Sequence, residues 1–592
     1  MTGTGDSGNL IAANAPTTGV VEFNGNYSGT GTVNLYDGTL KLGSGNKTFS
    51  AFGANGGTLD MQNNTAGDVL TISTLQGNGN VNLKLDYDAS KGTMDSLAIN
   101  GYTGSNVGLL LTSVNVTSDG ESAKGTYLTG RSKNSVNVIT DAITAVTSGG
   151  YKYTFTPDAT KGVLIVTRED SGAPIEQGLQ AAIADASVDS FSVNNNYTAV
   201  SSLGTLAGDN RNFTIYGNTN DIIASGSVEG IGINEGQTLT IDKVGDINDS
   251  TSKGFSGFNV DYYAAIENWG GTLNISDSIF SDNSDDSHYL YSAAVYNIGE
   301  ANITNSIFRD NGVAIRNSAL INLINPEAPS VKYLGVANIT DTDFINNESD
   351  YGAIINGGTM SIVAQDKNVL FSGNNATTTG GAIYNTKGNW PLAGLGVLNL
   401  NAKNGHKITF EAATDSANND IYNDTILNIN EGNIEILSAI TDAAAPTGTT
   451  NIGTKDTTAT VVANAITQKA LNINNGSSLA INADGLKIAD TINNLGSIAL
   501  GDGTLTSAID GTGGTTVIDG NVTLANNLTN QNVEITNGSL IANSATDYIG
   551  STNNLTIKNN GILDLSSEDK SINTVTLNNL TVDNSATNAH VR

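Results

Sequence analysis

Apolar and polar residues alternate along most of the chain in short runs, and most runs end at a Gly or an Asn. Val20-Val21-Glu22-Phe23, Thr32-Val33-Asn34-Leu35, Val69-Leu70-Thr71-Ile72 and Thr238-Leu239-Thr240-Ile241 are representative. A period of two sends successive side chains to opposite faces, as a half-buried β-strand requires. One segment breaks this rhythm. From Pro174 to Asp185 the apolar residues fall at helical spacing, with Pro in the first turn and Glu176 close behind. A short amphipathic helix is therefore expected within 171–190, of the kind that covers the open end of a strand stack.

Between residues 254 and 430 the strands carry a repeated phrase. Ala265-Ile266-Glu267-Asn268 returns as Ala294-Val295-Tyr296-Asn297, Ala314-Ile315-Arg316-Asn317, Ala353-Ile354-Ile355-Asn356 and Ala382-Ile383-Tyr384-Asn385, then with Asp for Ala as Asp420-Ile421-Tyr422-Asn423. A second phrase, Phe-x-x-Asn, alternates with it at Phe280, Phe308, Phe344 and Phe371, and Phe410 keeps the Phe without the Asn. Successive Asn endings of the first phrase lie 29, 20, 39, 29 and 38 residues apart. A repeat that tolerates such variation is a solenoid, in which each coil packs on its neighbours and insertions bulge outward. Asn accepts the left-handed backbone of tight corners, and its amide can hydrogen-bond to the same residue one rung away. By alternation the apolar residue two before each Asn points inward. From 431 onward the phrases disappear, yet Gly476, Gly496, Gly520, Gly538 and Gly561 still mark turns beside short strands at intervals of about one three-stranded rung.

The expected fold is all-β: two consecutive right-handed parallel β-helix segments. Residues 1–170 form the end of the first. Residues 171–592 form the second, with a capping helix in 171–190, the phrase repeats in 254–430 and regular rungs in 431–592.

Two stretches resemble a known family. Leu75-Gln76-Gly77-Asn78-Gly79-Asn80-Val81-Asn82-Leu83-Lys84-Leu85-Asp86, followed by Asp95-Ser96-Leu97-Ala98-Ile99-Asn100-Gly101, is similar to the segment that closes the β-helix of Gram-negative autotransporter passenger domains. The paired phrases, best matched at Gly381-Ala382-Ile383, Gly352-Ala353-Ile354 and Phe371-Ser372-Gly373-Asn374, resemble the repeats of chlamydial-type polymorphic outer-membrane proteins, which are autotransporters too. The resemblance implies an exported bacterial surface protein, in which membrane attachment comes only through a barrel absent from this chain. The closing segment departs from the family in sitting near the start of the sequence.

Composition narrows the partners. A net charge of −31 disfavours nucleic acid, whose binding is driven by Lys and Arg. The absence of Cys from 592 residues suits a chain exported unfolded, where a premature crosslink would obstruct passage. No basic and apolar leader follows Met1. Asn559-Asn560-Gly561-Ile562-Leu563-Asp564-Leu565 echoes Asn55-Gly56-Gly57-Thr58-Leu59-Asp60-Met61, so both ends read as cuts in a longer, internally duplicated protein.

Catalytic material is sparse. His288, His406 and His590 are the only histidines, too scattered for an acid–base pair or a multi-His metal site. Gly5-Asp6-Ser7-Gly8 has the form of a serine-protease nucleophile turn but lacks triad partners before it. Asp282, Asp285, Asp286 and His288 form the most enzyme-like cluster, readable as a solvated loop or a weak Ca²⁺ site. No catalytic, cofactor or metal residues are assigned. The expected function is a non-catalytic adhesin or rigid display stalk at the bacterial surface. Its partners would be host-cell or matrix glycans or proteins, or neighbouring bacteria, met by loops such as Ser281 to Tyr291 and Asn325 to Lys332. Two alternatives stand beside it, a β-helix polysaccharide lyase or glycoside hydrolase and a pure spacer.

Overall fold

The computed structural model describes residues 10–12, 20–24, 28–139, 141–147, 151–158, 160–170, 175–258, 264–283, 293–322, 330–387, 396–414, 418–482, 486, 488–542, 546–566, 579–582 and 590–591. Strand accounts for 54% of the chain and helix for 2%, in long stacks of parallel strands. The protein is a parallel β-helix solenoid. It divides into two compact units, Met1–Ile231 with Gly236–Phe255, and Gly232–Glu235 with Ser256–Arg592.

In the first unit two parallel sheets run side by side. One stacks Ser28–Leu35, Lys47–Ala54, Val69–Ile72 and Ser96–Ile99; the other stacks Thr39–Leu42, Thr58–Asp60, Asn80–Asp88 and Gly108–Ser118. Their inward residues, among them Leu40, Leu59, Leu70, Leu83, Leu97 and Leu109, are buried in one apolar core. The expected continuation of parallel rungs stops here. Ile143–Thr147, Tyr151–Pro157 and Val163–Asp170 pair antiparallel, because short connections can join only antiparallel neighbours. Tyr87, Tyr153 and Phe155 fill the core at this point, with the Tyr87 and Phe155 rings edge-to-face at 5.4 Å.

The helix spans Ile175–Ala184 and buries Leu179, Ala182 and Ile183. Its C-terminal carbonyls, which no helical N–H can reach, are met by one buried side chain. The Arg211 guanidinium donates to Ala182 O at 2.6 Å, Ile183 O at 2.7 Å and Ala207 O at 3.2 Å, and through Nε to Val188 O at 3.0 Å. A cation at that end also complements the helix dipole. Parallel pairing resumes after the helix, where Asn212–Tyr216 aligns with Thr238–Asp242.

In the second unit each rung of the phrase region has three strands. Ile266–Trp269, Thr272–Ser276 and Ile279–Ser281 form the first; Val295–Asn297, Glu300–Thr304 and Ile307–Arg309 the next. The phrases stack in register without a slip. Ile266, Val295, Ile315, Ile354, Ile383 and Ile421 lie above one another, as do the six Asn two places on, and every member of both files is fully buried. Phe280, Phe308, Phe344, Phe371 and Phe410 form a third file. Their rings stack within 14° of parallel at 5.0, 5.5, 4.9 and 4.4 Å. Beyond the phrases the rungs persist, with Ser478, Ser497, Thr515, Asn532 and Asn554 in register.

Candidate functional site: an exterior amide face

The repeated polar residues serve the interior. Along the first phrase each Asn Nδ2 donates to the Oδ1 of the next, from Asn268 to Asn423, at 2.7–2.9 Å. A second buried ladder joins Asn283, Asn311, Asn347, Asn374 and Asn419 at 2.9–3.1 Å. Asn419 thus supplies the amide missing after Phe410, displaced by the intervening residues 411–418. Left-handed backbone does not fall on the first-phrase Asn as expected. It falls on Asp282, Asp310 and Asn346, each just before the Asn of the second phrase, and on Asp277, Asn305 and Asp341 at the preceding corner. The ladder Asn of the first phrase instead end extended strands, where the side chain points into the coil and its amide can reach both neighbours.

The irregular spacing resolves into insertions at three corners. A hairpin of Ala319–Asn322 and Ser330–Leu334 enters between Asn317 and Gly335, and ten residues of sequence separate Asn385 from Gly396 at the same corner two rungs on. On every rung but the last a Gly precedes the middle strand and sits against the ladder; after Asn423 Thr425 takes that place and accepts from Asn385 at 3.0 Å. A Cβ on Gly299 would lie 2.3 Å from Gly271 O and 2.8 Å from the Asn268 amide, so the position admits no side chain. A second corner lies between Asn283 and Ala293, and a third lengthens between Val363 and Phe371, eight residues apart where their register partners Thr340 and Phe344 are four apart. Of the Asp282, Asp285, Asp286 and His288 cluster only Asp282 lies within the described residues, where Ser281 Oγ donates to it at 3.2 Å. Most of the 281–291 and 325–332 loops likewise fall outside the described residues. Among the described residues no group of three or more His, Asp or Glu is placed to hold a metal ion.

The acids of the closing motif are spent on backbone. Asp95 accepts from the amides of Gly67 and Asp68, each at 3.0 Å, and of Asp86 at 2.8 Å. Asp86 accepts from Asn63 N at 2.8 Å, Thr65 N at 3.1 Å and Asn115 Nδ2 at 2.7 Å. Burial pushes both carboxyls upward in pKa and the N–H donors oppose it. Asn115 also accepts from Ser192 at 2.6 Å, and Tyr216 bonds to Ser113 at 2.8 Å and to Gln62. These residues tie the strands before the helix to those after it within the first unit.

What remains for recognition is the outside. The middle strands of the rungs present three outward columns, of which Ser276, Thr304, Thr340, Val363 and Asn401 form the shortest and two run through nine rungs. Thr272, Glu300, Val336, Thr359, Val397, Ile426, Thr449, Ala470 and Thr491 form one; Asn274, Asn302, Asn338, Ser361, Asn399, Asn428, Asn451, Asn472 and Asn493 form the other. Eight of nine positions in the second column are Asn. Their side chains form a third, solvent-facing ladder: Asn302 to Asn274 at 3.2 Å, Asn338 to Asn302 at 2.9 Å, Asn428 to Asn399 at 3.0 Å, then Asn451 and Asn472 at 2.8 Å each. Beside its first three rungs runs a groove of about 560 Å³. Gly270, Gly271 and Gly299 line it together with Leu334, at the foot of the hairpin. The Thr-Leu-Asn-Ile-Ser, Glu-Ala-Asn-Ile-Thr and Val-Ala-Asn-Ile-Thr segments carry the signal for this face in the sequence.

A second outer file occupies the variable position of the first phrase: Glu267, Tyr296, Arg316, Ile355, Tyr384 and Tyr422. It is largely covered. Tyr296 and Ile355 join Ala264, Ala293, Ile298 and Val313 in a small apolar cluster, and burial draws the Arg316 guanidinium down to about 10. Tyr384 and Tyr422 stack on one another at 4.7 Å, which occupies their faces.

No protein-family model, curated protein or solved structure matches the chain significantly.

Proposed function

We propose that the chain is the exported passenger region of an autotransporter-type bacterial surface protein, and that it acts as an adhesin carried on a rigid stalk. One observation carries this reading. The Phe and Asn repeats are consumed by an in-register buried frame, while the length variation between repeats is confined to corners of that frame. Such an architecture holds exposed surface at fixed spacing and leaves it free to vary. The resemblance of residues 75–101 and of the paired phrases to passenger domains supports the bacterial surface as its place.

The test is to add the purified chain to epithelial cells, matrix proteins and bacterial cells, with an assay for cleavage of acidic polysaccharides alongside. Saturable adhesion without cleavage is expected. Cleavage that is lost on changing Asp282, or a chain that adheres to nothing offered, sinks the adhesive reading.

A further inference from the structure

Resting on that adhesive reading, we propose that the outer amide face of the second unit binds an uncharged, linear polysaccharide, laid along the solenoid axis with about one sugar per rung. Three observations converge on this ligand class. The first is charge. The chain carries 57 acidic and 26 basic residues, yet the two long columns from Thr272 to Asn493 hold a single charged side chain, Glu300, and the shorter column from Ser276 to Asn401 holds none before Glu431. A charged polymer gains nothing from such a surface, whereas a neutral one avoids desolvating ions on it.

The second is chemistry and period. A planar amide both donates and accepts, and so matches vicinal hydroxyls. In the ladder Asn302, Asn338, Asn428, Asn451 and Asn472 each donate to the Asn one rung back, and Asn302 donates also to Glu300 Oε1 at 3.2 Å; these side chains stay half-exposed or exposed, so sugar hydroxyls can replace the water that meets them. The aliphatic neighbours Val336, Val397 and Ile426 offer contact to the C–H faces of sugar rings. Rungs recur at about 4.8 Å, so the nine positions extend over roughly 38 Å. A linear β-linked hexose chain advances by a comparable distance per sugar, and the same contact can repeat from rung to rung.

The third is shape. The recess lined by Thr272, Glu300, Val336 and Leu334 falls within the usual volume of ligand sites. Asn274, Asn302 and Asn338, next to the groove, are therefore the anchoring residues.

Binding is tested with the full chain on insoluble cellulose and chitin, with soluble neutral glucan oligomers in calorimetry, and with polygalacturonate and heparin as charged comparators. Retention on a neutral polymer is expected. Joint Asn302→Ser and Asn338→Ser substitution should weaken it about tenfold, the loss of one to two hydrogen bonds. Ala480→Leu, on another face, should leave it unchanged, and circular dichroism checks that each variant folds. Four results overturn the inference: no binding to any neutral polymer, a preference for the charged ones, indifference to the Asn substitutions in folded protein, or binding abolished equally by Ala480→Leu. If cells are bound and neutral polysaccharides are not, this inference falls while the adhesive reading stands.

Discussion

Changing Asn317 to Ala measures what the interior ladder contributes. Its Nδ2 donates to Asn356 Oδ1 at 2.9 Å, Gly335 O at 3.1 Å and Thr359 O at 3.0 Å, and its Oδ1 accepts from Asn297 at 2.8 Å. The residue is fully buried, so water cannot replace the lost partners. With net values near 1 kcal/mol for each bond, and more where an acceptor is stranded, the substitution should cost about 3–5 kcal/mol. Asn297 keeps Gly299 O and Val336 O, both at 3.1 Å, which holds the value below the simple maximum. Asn302→Ala on the outer ladder removes amide contacts of similar length, but at a half-exposed site where water substitutes; it should cost less than about 1 kcal/mol. Because neighbouring rungs open semi-independently in a solenoid, the measurement is hydrogen exchange over 315–317 and 354–359 together with equilibrium denaturation. Asn317→Asp adds a pH signature. The introduced carboxyl faces three acceptors in the dry interior, so its folded-state pKa is raised. Its relative stability is highest below its unfolded value near 4 and declines as pH rises. If Asn317→Ala and Asn302→Ala prove equally costly, or Asn317→Asp shows no gain on acidification, the ladder is not the stabilising element described.

Two further substitutions probe the first unit. Arg211→Ala should expose the amides at the end of helix Ile175–Ala184 to exchange and lower stability by about 2–4 kcal/mol, since charge-assisted bonds to several carbonyls are lost; Arg211→Lys should recover less than half, because an ammonium cannot reproduce the fork. Burial raises the Asp95 carboxyl, and a group raised in the folded state contributes stability that is present below its unfolded value and lost as pH rises. Melting of the first unit should therefore weaken from near pH 4 upward through neutrality, with a shallower slope and a lower midpoint in Asp95→Asn, whose NH₂ would oppose backbone N–H donors; an unchanged slope excludes Asp95 as its source.

Period-two patterning and the two phrases made the solenoid legible before any coordinate, because a buried in-register file must repeat the same residue at every rung. The helix within 171–190 was equally visible from its change of period. Strand direction over 143–170 was not: alternation is identical in parallel and antiparallel strands, and only the length of the connections distinguishes them. Asn419 was hidden because an insertion separated it from Phe410, so the spacing that defined the phrase no longer applied. The outer amide face escaped notice for a different reason. Asn274, Asn302 and Asn338 lie in strands whose apolar residues drew attention to the inside, and their alignment emerges only when rungs of unequal length are superposed. Misplacing the left-handed corners followed from treating Asn as a turn residue, when its buried amide was needed in an extended strand.

The first-phrase ladder ends in an arrangement that recurs. Asn423 donates to Gln468 Oε1 at 2.6 Å, Thr450 joins at 3.1 Å, and Gln468 Nε2 returns to Asn423 O at 3.0 Å. Asn494, Thr516 and Gln531 repeat this at 2.7, 3.1 and 3.1 Å. The extra methylene of Gln lets one side chain bridge a level that offers no Asn. A coil bounded by such a clasp has the last N–H of its ladder received by Gln, so blocks of rungs become exchangeable cassettes. Lengthening or shuffling the stalk then requires only that the clasp travel with its block.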